Sequence, residues 1–302
     1  MIDQACAKVI GFTDMHQSMK KEISLTGKSE STLRNYSRQL AAMALHYKCL
    51  PTELTEDQVK DYLYLKQQEH NTPSRSYFKQ TVYGLRFVYR INGMMDKHLV
   101  LPAIKSEGKL PVVLSREEMK RLMVAPELLK HRILIGLLYG CGLRCFESRN
   151  VKLSDLDYDR KMLHVRQGKG KKDRYVPLPE MLIRGLKTYI EEEKPNTWLF
   201  NGKPVGRTGG DFDYRYSQRG VQWAVNQARE KAGIIKEMSV HTLRHTYATH
   251  LLEDGLDIMT IKDLLGHTSI ETTMIYLHVA QSGRVKPFSP LDTLYPNQKG
   301  KK

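Results

Sequence analysis

HTLRHTYATHLLEDGLDIMTIKDLLGHTSIETTMIYLHV, residues 241–279, is the stretch from which the rest of this chain is read. His241 and Arg244 stand three apart, so a helix turns both to one side. His267 follows Leu-Leu-Gly, where Gly266 suits a helix terminus, and Tyr276 lies nine residues further on. Thr268 and Glu271 read as the start of a new helix. Tyr276 would then sit two turns into it, presented from a rigid element. Far upstream, LLYGCGLRCFE adds Arg144 at the end of an apolar helix.

These residue types match the needs of metal-free phosphodiester cleavage. A pentacoordinate phosphate gathers negative charge that fixed cationic donors must neutralise. Arginine suits this, because its planar fork stays charged and bonds phosphate oxygens in pairs. A nucleophile must attack, and the departing 5′ oxygen needs a proton. Tyr276 can attack and store the bond as a phosphotyrosyl ester. A lysine of the turn GKGKKD, Lys169 or a neighbour, could reach the scissile phosphate.

Composition points the same way. Lys and Arg outnumber Asp and Glu by 48 to 33, a net charge of +15 over 302 residues. Such an excess makes a polyanion the leading partner, usually DNA or RNA. The longest apolar run, ILIGLLYGCGL at 133–143, falls short of the ~20 residues needed to span a bilayer and reads as a buried helix. The first residues lack a signal-peptide pattern. Four cysteines without CxxC spacing suggest a reducing compartment, with neither a disulfide framework nor a zinc ribbon. The expectation is a cytoplasmic, DNA-associated protein with no membrane segment, cofactor or metal.

Along the chain, residues 1–28 read as a polar lead-in whose order the sequence leaves open. Leu33, Tyr36, Leu40, Met43 and Tyr47 recur at helical steps. Thr55 and Gln58 fit a capping box, followed by Val59, Tyr62, Leu63 and Leu65. A third helix follows Thr72-Pro73 and carries Arg75, Lys79, Arg86 and Arg90 on its exposed positions. Residues 29–95 thus form a small basic helical unit, and 96–113 a linker. The second domain, 114–285, opens with a Ser115/Glu118 cap. MLHVR and RYVPL flank GKGKKD as a hairpin, and helices resume after it. Residues 286–302 form a tail ending KGKK. The fold class is mainly α with a small β-hairpin (α+β).

With these residues in view, the chain resembles the tyrosine recombinases, the phage-integrase-like group that includes the Xer resolvases. LLYGCGLRCFESRNVKLSDLD is similar to the family's first arginine box, GKGKKDRYVPLP to its hairpin, HTLRHTYATHLL to its His-x-x-Arg box and LLGHTSIETTMIYLHV to its last box. Cys145 and Phe146 depart from the commoner aliphatic and small residues there. The resemblance implies Arg144, Lys169, His241, Arg244, His267 and the nucleophile Tyr276 as the catalytic set, with Glu147 in support. It implies a helical core-binding, SAM-like DNA-binding domain at 29–95 and a catalytic domain at 114–285. It further implies a 3′-phosphotyrosine intermediate, with Lys169 protonating the leaving oxygen. A homotetramer would act on synapsed double-stranded DNA through a Holliday junction, with an accessory DNA-bending protein as an optional component. The tail after Tyr276 would dock on a neighbouring protomer.

Plainer readings stand beside this one. A lone tyrosine on a helix ordinarily packs. Arg144 alone could pair with Glu147 at i,i+3. His241 and His245 have half a zinc motif, but position 242 is threonine where HExxH needs glutamate. Competing functions are type IB topoisomerase-like relaxation and non-catalytic DNA binding. Candidate DNA contacts are Arg75, Lys79 and Arg86, with Arg215 and Arg219; the recognition sequence is not legible in one chain.

Overall fold

The computed structural model describes residues 1–68, 75–97, 110–166, 173–202 and 214–280. It divides into two compact units, residues 1–107 and 108–302. The expected Lys169, most of the 96–113 linker and the whole 286–302 tail lie outside the described residues, as does the side chain of Arg75.

The first unit is helical: α1 (Ile2–Lys8), α2 (Phe12–Leu25), α3 (Glu30–Tyr47), α4 (Glu56–Gln68) and α5 (Arg75–Ile91). The expected lead-in is corrected here. Phe12, Met15, Met19 and Ile23 fall at three- and four-residue steps, so α2 closes over the same core as α3 and α5. Burying those four side chains makes residues 12–25 part of the first unit's core. α3 is the hub, with α1, α2 and α5 packed on it. α4 starts at the expected box: Gln58 N–H donates to Thr55 Oγ1 at 3.2 Å, and Thr55 N–H to Gln58 Oε1 at 2.9 Å. Val59 and Tyr62 point inward, whereas Leu65 is exposed. Lys97 donates to the carbonyls of Thr52 and Leu54, fastening the first linker residues to this unit.

The second unit is built around α7 (Leu129–Gly140), in which residues 133–138 are all buried. α6 (Arg116–Val124) begins at the Ser115/Glu118 capping box. α8 (Cys145–Arg149) follows a turn at Gly142, whose φ of 60° is open to glycine at little cost. The hairpin forms as β2 (Met162–Val165) and β3 (Arg174–Pro177), with Leu163 opposite Val176. A further strand, β1 (Leu156–Asp157), extends it to a three-stranded antiparallel sheet. Two residues are too short a run to show a period of two in sequence.

The remaining helices are α9 (Glu180–Glu193), α10 (Gln218–Lys231), α11 (Val240–Glu253), α12 (Ile258–Leu265) and α13 (Glu271–Met274). α11 carries the His-x-x-Arg motif through the interior, with Leu243, Arg244, Thr246, Tyr247, Ala248 and His250 all buried. His250 shares hydrogen bonds with the Tyr139 hydroxyl at 2.9 Å and the Leu114 carbonyl at 3.0 Å. Those bonds tie α7 and Leu114, the residue just after the expected linker, to α11.

Candidate active site

Three arginines converge on the end of one helix. The last carbonyls of α12 lack intrahelical partners and carry the negative end of the helix dipole. Arg174 Nε donates to Leu264 O at 2.8 Å, Arg244 Nη2 to Leu265 O at 2.5 Å, and Arg144 Nη2 to Gly266 O at 3.4 Å. Gly266 closes the helix in the left-handed conformation, φ 62°, as its position after Leu-Leu suggests.

Glu147 ties the same arginines together from the other side. Its two oxygens accept from Arg174 Nη1 and Nη2 at 2.9 and 2.8 Å, and from Arg144 Nη1 at 2.7 Å. Arg244 Nη1 lies 3.9 Å from Glu147 and donates to Gly142 O at 2.7 Å. Burial alone would push the Glu147 carboxyl up. The hydrogen bonds and charge of Arg174, joined by the Arg144 N–H and charge, instead bring it down to about 2. Arg244 is brought down to about 9, first by burial and then by Arg144, and stays charged at neutral pH. Among the described residues, three guanidiniums therefore surround one carboxylate. The surplus positive charge faces a cleft of about 550 Å³ lined by Arg144, His241, Arg244, His245, His267 and Tyr276.

The histidines at the cleft are held neutral. His267 falls to about 3 through burial and the nearby charges of Arg244 and Arg144; its Nδ1 bonds Thr273 Oγ1 at 2.9 Å. His245 falls to about 4 through burial, then His241 and Arg244. His241 is lowered by burial, then by Arg244 and Arg144.

Tyr276 differs from its expectation. α13 is a single turn without a side-chain cap from Thr268, and Tyr276 lies in the 3₁₀ turn Ile275–His278 that continues it. Ser269 bonds Glu271 instead. The phenol is 1 % exposed, packed with Tyr247, Ile261 and Leu265, and its hydroxyl bonds His245 Nδ1 at 3.0 Å. Burial raises its pKa, against the pull of Arg244 and Arg144.

The structure thus brings together Arg144, Glu147, His241, Arg244, His267 and Tyr276. Sequence reasoning missed Arg174, which directly follows the hairpin's GKGKKD, and weighed His245 only as a zinc ligand. Its Nδ1 is instead engaged by Tyr276. Of the candidate DNA contacts, Lys79, Arg86 and Arg219 are exposed. Arg215 lies over the Trp198 ring and donates to Asn150 Oδ1 at 2.9 Å. Among the described residues no helix is long and apolar enough to cross a membrane.

Comparison with known proteins agrees with this geometry. Residues 112–282 match the Phage integrase family, and residues 15–91 match Phage integrase, N-terminal SAM-like domain. The second match starts inside α2, ahead of the expected boundary at 29. The chain is 32% identical over 285 residues to the putative integrase/recombinase y4qK of Sinorhizobium fredii, covering 93% of this chain and 90% of that one. It is 39% identical over 200 residues to the tyrosine recombinase XerA of Thermococcus kodakarensis, covering 66% of this chain and 69% of that one. The crystal structure of XerA recombinase aligns with a TM-score of 0.51 at 25% identity, over 96% of this chain and 99% of that one. The XerH recombinase in its post-cleavage complex shares the fold, with a TM-score of 0.64 at 21% identity, over 82% and 76%. These relatives favour recombination over the topoisomerase alternative. The chain belongs to the phage integrase family: it is a tyrosine recombinase, an enzyme that breaks and rejoins DNA strands.

Proposed function

We propose that Tyr276 is the nucleophile of a site-specific recombination reaction and that Arg144 and Arg244 hold the scissile phosphate. The observation that carries this reading is the single cleft in which these residues, His241 and His267 meet. Arg144 and Arg244 keep N–H donors beyond those bonded to Glu147 and backbone carbonyls, since each guanidinium has five. Those spare donors suit the non-bridging oxygens of a phosphate. Glu147 and Arg174 are positioning residues. They fix the arginines before substrate arrives, so little reorganisation accompanies the reaction. Lys169 is proposed as the general acid on the leaving 5′ oxygen. His241 and His267, both neutral, add hydrogen bonds to the phosphate.

The first unit would grip the duplex through Lys79, Arg86 and neighbouring cations, and the second would cleave it. Four copies on two synapsed sites would exchange strands through a Holliday junction, with the 286–302 tail joining neighbours. The name of the y4qK relative, an integrase/recombinase, supports service to a mobile element.

Covalent trapping tests the reading. Wild type and Tyr276→Phe are incubated in EDTA with labelled DNA flanking the coding region and run on a denaturing gel. A shifted band from wild type alone is the expected result. An equal band from Tyr276→Phe moves the nucleophile elsewhere. Binding without adducts, even on nicked suicide substrates, restores the non-catalytic reading.

A further inference from the structure

Among the described residues, the Tyr276 hydroxyl has one hydrogen-bond partner, His245 Nδ1 at 3.0 Å. The two rings meet at 5.7 Å between centroids and 52° between planes. The phenol is 1 % exposed, so bulk water cannot take its proton; a group already beside it must. The surrounding groups narrow the choice. Arg144, Arg174 and Arg244 have no acceptor. Glu147 has both oxygens filled by arginine N–H groups. His267 Nδ1 is engaged with Thr273. His241 lines the cleft but makes no bond to Tyr276 among the described residues. Among the described residues, His245 alone stands at proton-transfer distance from the Tyr276 hydroxyl.

We propose that His245 is the general base for strand cleavage, taking the Tyr276 proton at Nδ1 as the phenol oxygen attacks phosphorus. This rests on Tyr276 being the nucleophile. The Tyr276 O–H bond breaks and its proton moves to Nδ1. The Oη–P bond forms, the P–O5′ bond breaks, and O5′ leaves with the proton of the general acid. In rejoining, the 5′ hydroxyl returns its proton to the general acid as its oxygen attacks phosphorus, the Oη–P bond breaks, and the departing Tyr276 oxygen recovers its proton from His245. The tautomer required carries hydrogen on Nε2, leaving Nδ1 free to accept. The electrostatics make the base conditional. Burial, His241 and Arg244 keep His245 weakly basic. A phosphate set between Arg144 and Arg244 offsets their charge and favours the imidazolium. The base strengthens when substrate is in place, and the idle enzyme keeps its phenol protonated.

The test uses the full chain and the DNA fragment trapped by wild type, as a nicked suicide substrate. One form carries an ordinary scissile phosphate and the other a 5′-bridging phosphorothiolate. The thiolate leaves without a proton, so that form isolates the nucleophile's half of the reaction. His245→Phe removes both acceptor and base; His245→Asn keeps an acceptor oxygen and removes the base. Both variants are expected to bind DNA normally and to cleave both forms at least ~100-fold more slowly at neutral pH. They should recover as pH rises toward the range where the phenol ionises unaided. Cleavage by His245→Asn within about threefold of wild type overturns the proposal, because a base of this kind contributes far more. A loss that is the same at every pH overturns it too. If neither variant binds DNA, the wild-type pH profile on the phosphorothiolate decides. A rate that falls in acid supports the proposal, and a flat one overturns it. No wild-type adduct on any fragment would instead overturn the nucleophile reading beneath it.

Discussion

The two units treat charge in opposite ways. In the first, the described buried polar groups are neutral ones such as Ser37, Gln39, Thr52 and Thr81, while Lys79, Arg86 and Arg90 are exposed. The second buries Glu147, Asp155, Arg244 and His250. Solvated charge acts at a distance, adapts to many phosphates and is screened by salt. Buried charge is costly to install and fixed in place, which suits one phosphate in one orientation. On the function proposed above, the exposed cations would grip a polyanion and the buried ones would act on one bond in it.

The sharpest way to break this contrast is Arg244→Ala, which should lower adduct formation about 100- to 1,000-fold, as losing one preorganised donor does. Arg244→Lys should not recover it, because an ammonium cannot bridge Gly142 O and Leu265 O while facing phosphate. A fully active lysine variant would reduce the site to charge alone.

Next in size, Glu147→Gln leaves crowded guanidiniums without their carboxylate. It should cost the second unit about 3–5 kcal/mol, as breaking a buried ion pair does. Hydrogen exchange read by unit should show α8 and α11 opening while α3 and α5 are unchanged. Equal loss in both units would mean that they unfold together.

Acid sharpens the same contrast. Folded values of about 4 for His245 and about 3 for His267 lie below the ordinary 6.5, and about 2 for Glu147 lies below 4.5. Depressed values mean that the unfolded chain binds protons first. The histidine contribution is complete above pH 6.5 and is lost as pH falls toward 4 and then 3; that of Glu147 is complete above 4.5 and is lost toward 2. Exchange in α11 and α12 should quicken through that window before exchange in α3. A reversed order would remove the histidines from the account.

The smallest effects belong to the surface. Lys79→Ala or Arg86→Ala should weaken DNA binding a few-fold and cut the salt slope by about 1 each, without changing cleavage of bound DNA. An unchanged slope would remove that residue from the grip.

The sequence was most legible where chemistry and local pattern coincide. Arg144, His241, Arg244 and His267 sit in short motifs beside glycines or at helical spacing, and the capping residues Ser115 and Thr55 do what their neighbours imply. Residues 1–28 misled because their many polar side chains hide the four-residue stripe of α2. Tyr276 was found, but its burial was not, since burial comes from Tyr247, Ile261 and Leu265 on other segments. Arg174 was invisible for a similar reason: its partners are a carboxylate 27 positions earlier and a carbonyl 90 positions later.

The three arginines bonded to successive carbonyls of residues 264–266 also carry a lesson about synthesis. Arg144 and Arg174 leave the ribosome long before those carbonyls exist, and Tyr276 follows later still. The cleft cannot assemble on a growing chain until nearly all of the second unit has emerged. A product that stops before residue 264 lacks the carbonyls that Arg144, Arg174 and Arg244 bond, and Tyr276 as well. The order of synthesis therefore makes the cleft one of the last features of the second unit to form.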